Sequence, residues 1–331
     1  MMWMNFVIGL VGCTLGISSL CDCDDHRSDN QKQTQSNEIA ESYQDPVSVQ
    51  IHTETGHIVM PVWIEENGPH WFVLDTGNQN TTFFARIAKE VGVETRPLGE
   101  MGGAGSGSIK VSQASDVRVG IGVDGSEIEF VDPVVTVLPD AAGLPDFNGK
   151  TVAGFLGATF IERYITSIDY TKDELSLMNH DEFVVSDDAQ VMDMKLAFGF
   201  PYFEGTVIPT IHGENTEAIE GNYLLDLGDS NGIGIEYDRA QICGLIDSDD
   251  PAQKIIGMGQ GIDGVPFKMK SAPVDSITMG GMSIEDSVVV FSTSPGGGPP
   301  IPDLVGTVGS GVFTGSVVTL DYKGGRLILT N

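Results

Sequence analysis

Apolar residues along this chain fall in short alternating or continuous runs, broken by glycine, proline and polar turns, and long helical spacing is scarce. Ile58 to Ile64 and Thr206 to Ile211 carry Val and Ile at the intervals of half-buried strands. Phe72, Val73 and Leu74 run straight into Asp75-Thr76-Gly77, and a second run, Tyr223 to Leu225, meets Asp226-Leu227-Gly228. Each predicts an apolar strand that ends in a turn with a carboxylate at its floor. Only Phe84 to Val91 and Tyr237 to Cys243 read as helices, with Gly92 and Gly244 placed as C-terminal caps. Glycine-dense stretches at 102–108 and 257–264 follow, each leading into short strands. They predict hairpin tips, where glycine supplies positive φ. The pattern as a whole is that of an all-β chain.

The landmarks recur in order. Ala88 and Ala240 stand 152 positions apart (240 − 88), as do Gly154 and Gly306, Asp169 and Asp321, and Leu175 and Leu327. The two acidic motifs stand 151 apart (226 − 75), one short, which a single-residue insertion explains. The chain reads as a tandem duplication, with an N-terminal lobe at 46–185 and a C-terminal lobe at 186–331. Each half closes with a short hairpin, Asp169 to Leu177 and Asp321 to Leu329.

Composition narrows the function. With 47 Asp and Glu against 17 Lys and Arg, the formal charge is −30, which repels phosphate backbones and excludes nucleic acid as a partner. Residues 1–20 are apolar and uncharged and read as a signal peptide, with Cys13 in a run similar to a bacterial lipobox as a lipidation candidate. Residues 21–45, rich in Asp, Gln, Ser and Asn, read as a disordered tether. The expectation is an exported protein of the bacterial cell envelope that touches the membrane only through its N-terminal segment. Of four cysteines only Cys243 lies in the folded part, so no internal disulfide framework is expected, and Cys243 reads as a small buried hydrophobe.

Candidate chemistry centres on the paired motifs, read as two acids that face each other in one site. The order of acidic loop, glycine-tipped hairpin, apolar strand, Gly-x-x-Gly and closing hairpin, met twice, resembles the aspartic protease family over residues 46–331. Each half is similar to the short viral retropepsins, and the whole to a single-chain, pepsin-like version. The resemblance implies two pseudo-symmetric, closed-barrel-like lobes with the active site between them, in a monomer. It implies an endopeptidase whose Asp75 and Asp226 activate a water, with no cofactor and no metal. Gly77 and Gly228 would let the loops approach, and the hydroxyl after each acid would bond the opposite loop. Thr76 has that hydroxyl and Leu227 lacks it. Gly103, Ala104 and Gly105 of one flap, and Met258, Gly259 and Gln260 of the other, would cover a protein or peptide substrate; neither flap contains tyrosine. Asp229 adds a further charge beside Asp226, which raises the pKa of the pair. A catalytically weak or inactive relative that binds peptides in the same cleft is the alternative.

Rival motifs are weaker. Gly259 to Gly264 fits a dinucleotide fingerprint in form, yet prolines and alternation follow it and no helix opens. A calcium loop around Asp229 would begin at Leu227, and the six histidines show no metal-site spacing. Gly309-Ser310-Gly311 lacks the nucleophile elbow of serine hydrolases.

Overall fold

The computed structural model describes residues 46–102, 107–140, 146–210, 217–246, 254–260, 265–293 and 295–330. Cys13, the signal and tether segments, and Gly103, Ala104 and Gly105 lie outside the described residues. The fold is all-β, and its two halves share one pattern of strand pairing. In the first half, Asn67–Leu74 lies between Val59–Ile64, antiparallel, and Lys150–Leu156, parallel. In the second, Ile219–Asp226 lies between Phe200–Pro209, antiparallel, and Leu304–Gly309, parallel. A three-residue strand then joins each sheet: Thr82–Phe84 on Lys150–Leu156, and Ile233–Ile235 on Leu304–Gly309. Helices Ala85–Val91 and Tyr237–Ile242 follow these strands, and Gly92 ends the first in a left-handed conformation at φ 77°.

Both sheets close on themselves. In the second half, Ile233–Ile235 pairs with Met282–Ser292, which pairs with Pro266–Met279, which returns to Phe200–Pro209. Six strands thus form a ring with no free edge among them. The first half closes the same way through an interrupted strand. Ser108–Ala114 pairs with Val135–Leu138, and Val117–Ile121 pairs with Val59–Ile64; the break falls at Asp116, whose φ is 56°. Its counterpart, Pro266–Met279, runs 14 residues without a break. The pattern predicted short strands there, because Pro266 and Pro273 punctuate the segment. Pairing along both edges overrides that signal, and Pro273 falls in the gap between the partners Lys254–Gln260 and Phe200–Pro209. The strand expected from Thr206 begins earlier, at Phe200, where Phe200 and Phe203 are fully buried.

The closing hairpins join the halves. Ile165–Asp169 and Glu174–Met178 belong to the first, Val317–Asp321 and Arg326–Thr330 to the second, and all four lie in one six-stranded sheet with Val47–Gln50 and Gln190–Asp193 at its edges. At its centre Ser167 faces Thr319, their hydroxyls 3.0 Å apart and 152 positions apart in the chain. Thr166 faces Leu320 and Ile168 faces Val318, so the register is symmetric about the Ser167–Thr319 pair. An approximate two-fold axis therefore passes through this pair. Among the described residues no helix is long and apolar enough to cross a membrane.

Candidate active site

Both acidic motifs occupy the same place in their sheets. Asp75 follows the strand that Leu74 ends, and its N–H donates to the Leu156 carbonyl at 2.9 Å. Asp226 ends its own strand and pairs with Gly309. Each loop turns back at once: Asn78 N–H donates to Asp75 O at 3.2 Å, and Asp229 N–H to Asp226 O at 3.1 Å. Each acid also accepts from the glycine two residues on, Asp75 from Gly77 at 2.9 Å and Asp226 from Gly228 at 3.0 Å. Both carboxyls are buried, Asp75 at 0% exposure and Asp226 at 2%.

The loops meet reciprocally. A Cβ added at Gly77 would stand 2.8 Å from the carboxyl carbon of Asp226, and one at Gly228 would stand 2.5 Å from that of Asp75. No side chain fits at either position without displacing a carboxylate, so glycine is required by close approach. The Oδ2 of Asp75 is buried and has no conventional donor among the described residues; the Asp226 carboxyl is the group that it can share a proton with. Two acids so placed cannot both ionise readily. Burial drives both pKa values up. The charges of Asp75 and Asp229 push Asp226 further, whereas hydrogen bonding to Asp226 and to the Gly77 N–H partly holds Asp75 down.

The clasp between the loops is one-sided. Thr76 Oγ1 donates to the Leu225 carbonyl at 2.6 Å and accepts from the Leu227 N–H at 2.8 Å, so one hydroxyl grips two points of the opposite loop. Leu227 is fully buried and offers no hydroxyl in return.

Behind the loops stand elements that the pattern singled out only as landmarks. Asn78 O accepts from the Ala158 N–H at 2.9 Å, and Asp229 O accepts from the Ser310 N–H at 2.8 Å. Gly157 and Gly309 make this approach possible, since a Cβ there would lie 2.4 Å from Asn78 O or 2.3 Å from Asn231 O. Ser310 Oγ lies 3.0 Å from Asp229 O and 2.5 Å from Gly56 O, so its single proton ties the second acidic loop to a turn of the first half. Asp229 itself is buried, and its Oδ1 accepts from the backbone and side chain of Asn231 at 2.9 and 2.5 Å. Burial pushes its pKa up to about 6 against the pull of those bonds. The sequence pattern does not show the roles of Ser310 and Gly56, because they meet across 254 positions of the chain, or that of Asn231, because a local bond to Asp229 is common in turns.

A cleft of about 820 Å³, open to solvent, begins at Gly77, Asp226 and Asp229 and runs along the second half. Its apolar wall includes Leu224, Ile235, Phe267, Met269 and Phe291. Of the expected second flap, Met258 and Gly259 stand on the strand that pairs with Phe267 and Lys268. The structure brings Phe267 and Met269, which the pattern did not single out, to the cleft wall, with Gly259 packed behind Phe267.

No family model matches the sequence, and no curated protein does. Among solved structures, the chain is similar to an aspartic proteinase from Irpex lacteus at 11% identity and a TM-score of 0.47, covering 87% of this chain and 97% of that one. It is also similar to Basic 7S globulin from soybean at 8% identity and a TM-score of 0.43, covering 86% and 94%. Likenesses this distant decide no activity, and the chemistry rests on the two loops.

Proposed function

We propose that this chain is an aspartic-type endopeptidase in which Asp75 and Asp226 jointly activate a water molecule. The observation that carries the reading is the reciprocal seating of the two buried carboxyls, each against the glycine of the opposite loop. At the start of the reaction the pair holds one proton. The ionised acid takes a proton from the water, whose oxygen bonds to the peptide carbonyl carbon while the protonated acid donates to the carbonyl oxygen. Collapse of the tetrahedral intermediate breaks the C–N bond as a proton passes to the leaving nitrogen, and the pair returns to its singly protonated state. General acid–base action of this kind contributes roughly 10²–10⁴-fold, with orientation in the cleft adding to it. A single chain supplies both acids, so a monomer suffices. The apolar, uncharged residues 1–20 support action in the cell envelope.

Leu227 favours a second reading. With one hydroxyl of the clasp absent, the protein would bind peptides in the cleft and turn them over slowly or not at all. A peptide-library digest from pH 3 to 8 separates the two. Cleavage by the wild type, abolished in both Asp75→Asn and Asp226→Asn, is the expected result. Cleavage that survives either substitution overturns the paired-acid mechanism, and peptide binding without cleavage supports the second reading.

A further inference from the structure

Glu236 is the residue before the second helix, a position where a side-chain oxygen commonly caps the first free N–H groups. Its carboxylate does not do this: no side-chain cap bond forms. It lines the cleft that begins at Asp226, half-buried, and its backbone is fixed there by the N–H bond to the Val305 carbonyl at 2.9 Å. Burial raises its pKa and the Asp238 charge raises it further.

The rest of the lining makes that carboxylate informative. The described residues around the cleft include Asp226, Asp229 and Glu236 but no Lys, Arg or His. Asp226 belongs to the dyad and Asp229 is engaged by Asn231, which leaves Glu236 as the acid free to meet a ligand. The same cleft is lined by Phe267, Met269, Phe291 and Ile235, so an apolar wall and a carboxylate share it. Such a lining matches a side chain with an aliphatic stem and a cationic head. The symmetry sharpens the point. The corresponding residue of the first half, 152 positions earlier, is Phe84, which also precedes its helix and is 5% exposed. One half therefore presents a ring where the other presents a carboxylate. A chain of formal charge −30 also draws cationic peptides toward its surface.

We propose that the cleft beside Asp226 receives a lysine or arginine side chain of the peptide substrate, with Glu236 as its counter-ion. The inference rests on the peptide-cleft reading above and names the substrate class of that site. A test that keeps the two apart uses the full chain and paired peptides differing at one position, lysine against norleucine and arginine against citrulline, with that position scanned across the scissile bond. Hydrolysis by the wild type is measured as kcat/KM, and binding is measured separately with Asp75→Asn by fluorescence anisotropy of the same labelled peptides.

At one scanned position the basic peptide is favoured about tenfold or more, the effect of one charge-assisted hydrogen bond in a partly desolvated site. Glu236→Gln brings the ratio close to one. Glu236→Asp, which keeps the charge and shortens its reach, gives an intermediate ratio and serves if the glutamine variant folds poorly. Cleavage with no basic preference at any position overturns this inference and leaves the endopeptidase intact. Selective binding of the basic peptide without turnover supports the inference and overturns the catalytic reading. Neither cleavage nor selective binding overturns both.

Discussion

A hydroxyl that bonds two backbone groups of a facing loop is hard to replace, because its loss strands a buried carbonyl and a buried N–H together. Thr76→Val keeps the shape and removes both bonds to Leu225 and Leu227. It should lower stability by about 1–3 kcal/mol and depress activity, as read by thermal melting and peptide hydrolysis. Asp229 makes a contrasting case. Its folded pKa of about 6 stands above that of an unfolded aspartate near 4, so the folded state binds the proton more tightly. Stability tied to Asp229 is complete below about pH 4 and is lost as pH rises through about 6. Asp229→Asn, whose side-chain oxygen still accepts from Asn231, should therefore be more stable than the wild type above pH 6, by up to about 3 kcal/mol, and no different below pH 4. Melting across pH 3.5–8 measures this; equal curves at pH 8 would contradict it. Removing that charge also relieves the upward push on Asp226, so the alkaline limb of the activity profile should move toward acid. The acids, the glycines and the missing hydroxyl were all legible in the sequence, because each sits inside a repeated local motif. Ser310 and Glu236 were not, since the first acts on residues remote in the chain and the second lies where the other half has phenylalanine.

At the scale of strands, the Gly-x-x-Gly segments explain themselves only in three dimensions. Gly154 and Gly306 lie where a Cβ would come within 2.2 Å of Thr82 O and 2.1 Å of Gly234 O, so each strand that backs an acidic loop runs against a neighbouring backbone. Gly154→Ala and Gly306→Ala should each destabilise by about 1–3 kcal/mol through overpacking. Gly77→Ala and Gly228→Ala should do more to catalysis than to melting, because the added methyl meets a carboxyl that can shift rather than a rigid strand. Measuring kcat/KM beside the melting temperature distinguishes the two classes. The spacing of these glycines was readable, and their reason was not: a period in sequence gives position along a strand, whereas close approach depends on what lies across the sheet. The long strand Pro266–Met279 shows the same limit, since its prolines break the local pattern while partners on both edges hold it together.

For the molecule as a whole, the shared six-stranded sheet matters more than either ring. Three strands of each half lie in it, and its centre is the Ser167–Thr319 contact between halves. The halves should therefore unfold together. Trp63 and Trp71 both report on the first half, whereas far-ultraviolet circular dichroism reports on all strands. Denaturant curves from the two probes should coincide, and separate midpoints would show two independent domains. The repeat announced two halves, but no spacing in it announced that their closing hairpins would be stitched into one layer. Pairing between remote strands leaves no local trace.

The clasp at Thr76 also bears on how this protein tolerates mutation. In a symmetric pair of loops, either hydroxyl could fail and leave its twin in place, so the structure would carry a spare. Leu227 offers no spare. Two positions that match in the pattern carry unequal burdens, and the first has no backup. Among random variants selected for retained folding, position 76 should accept little besides serine, while position 227 should accept a range of apolar residues of leucine's size.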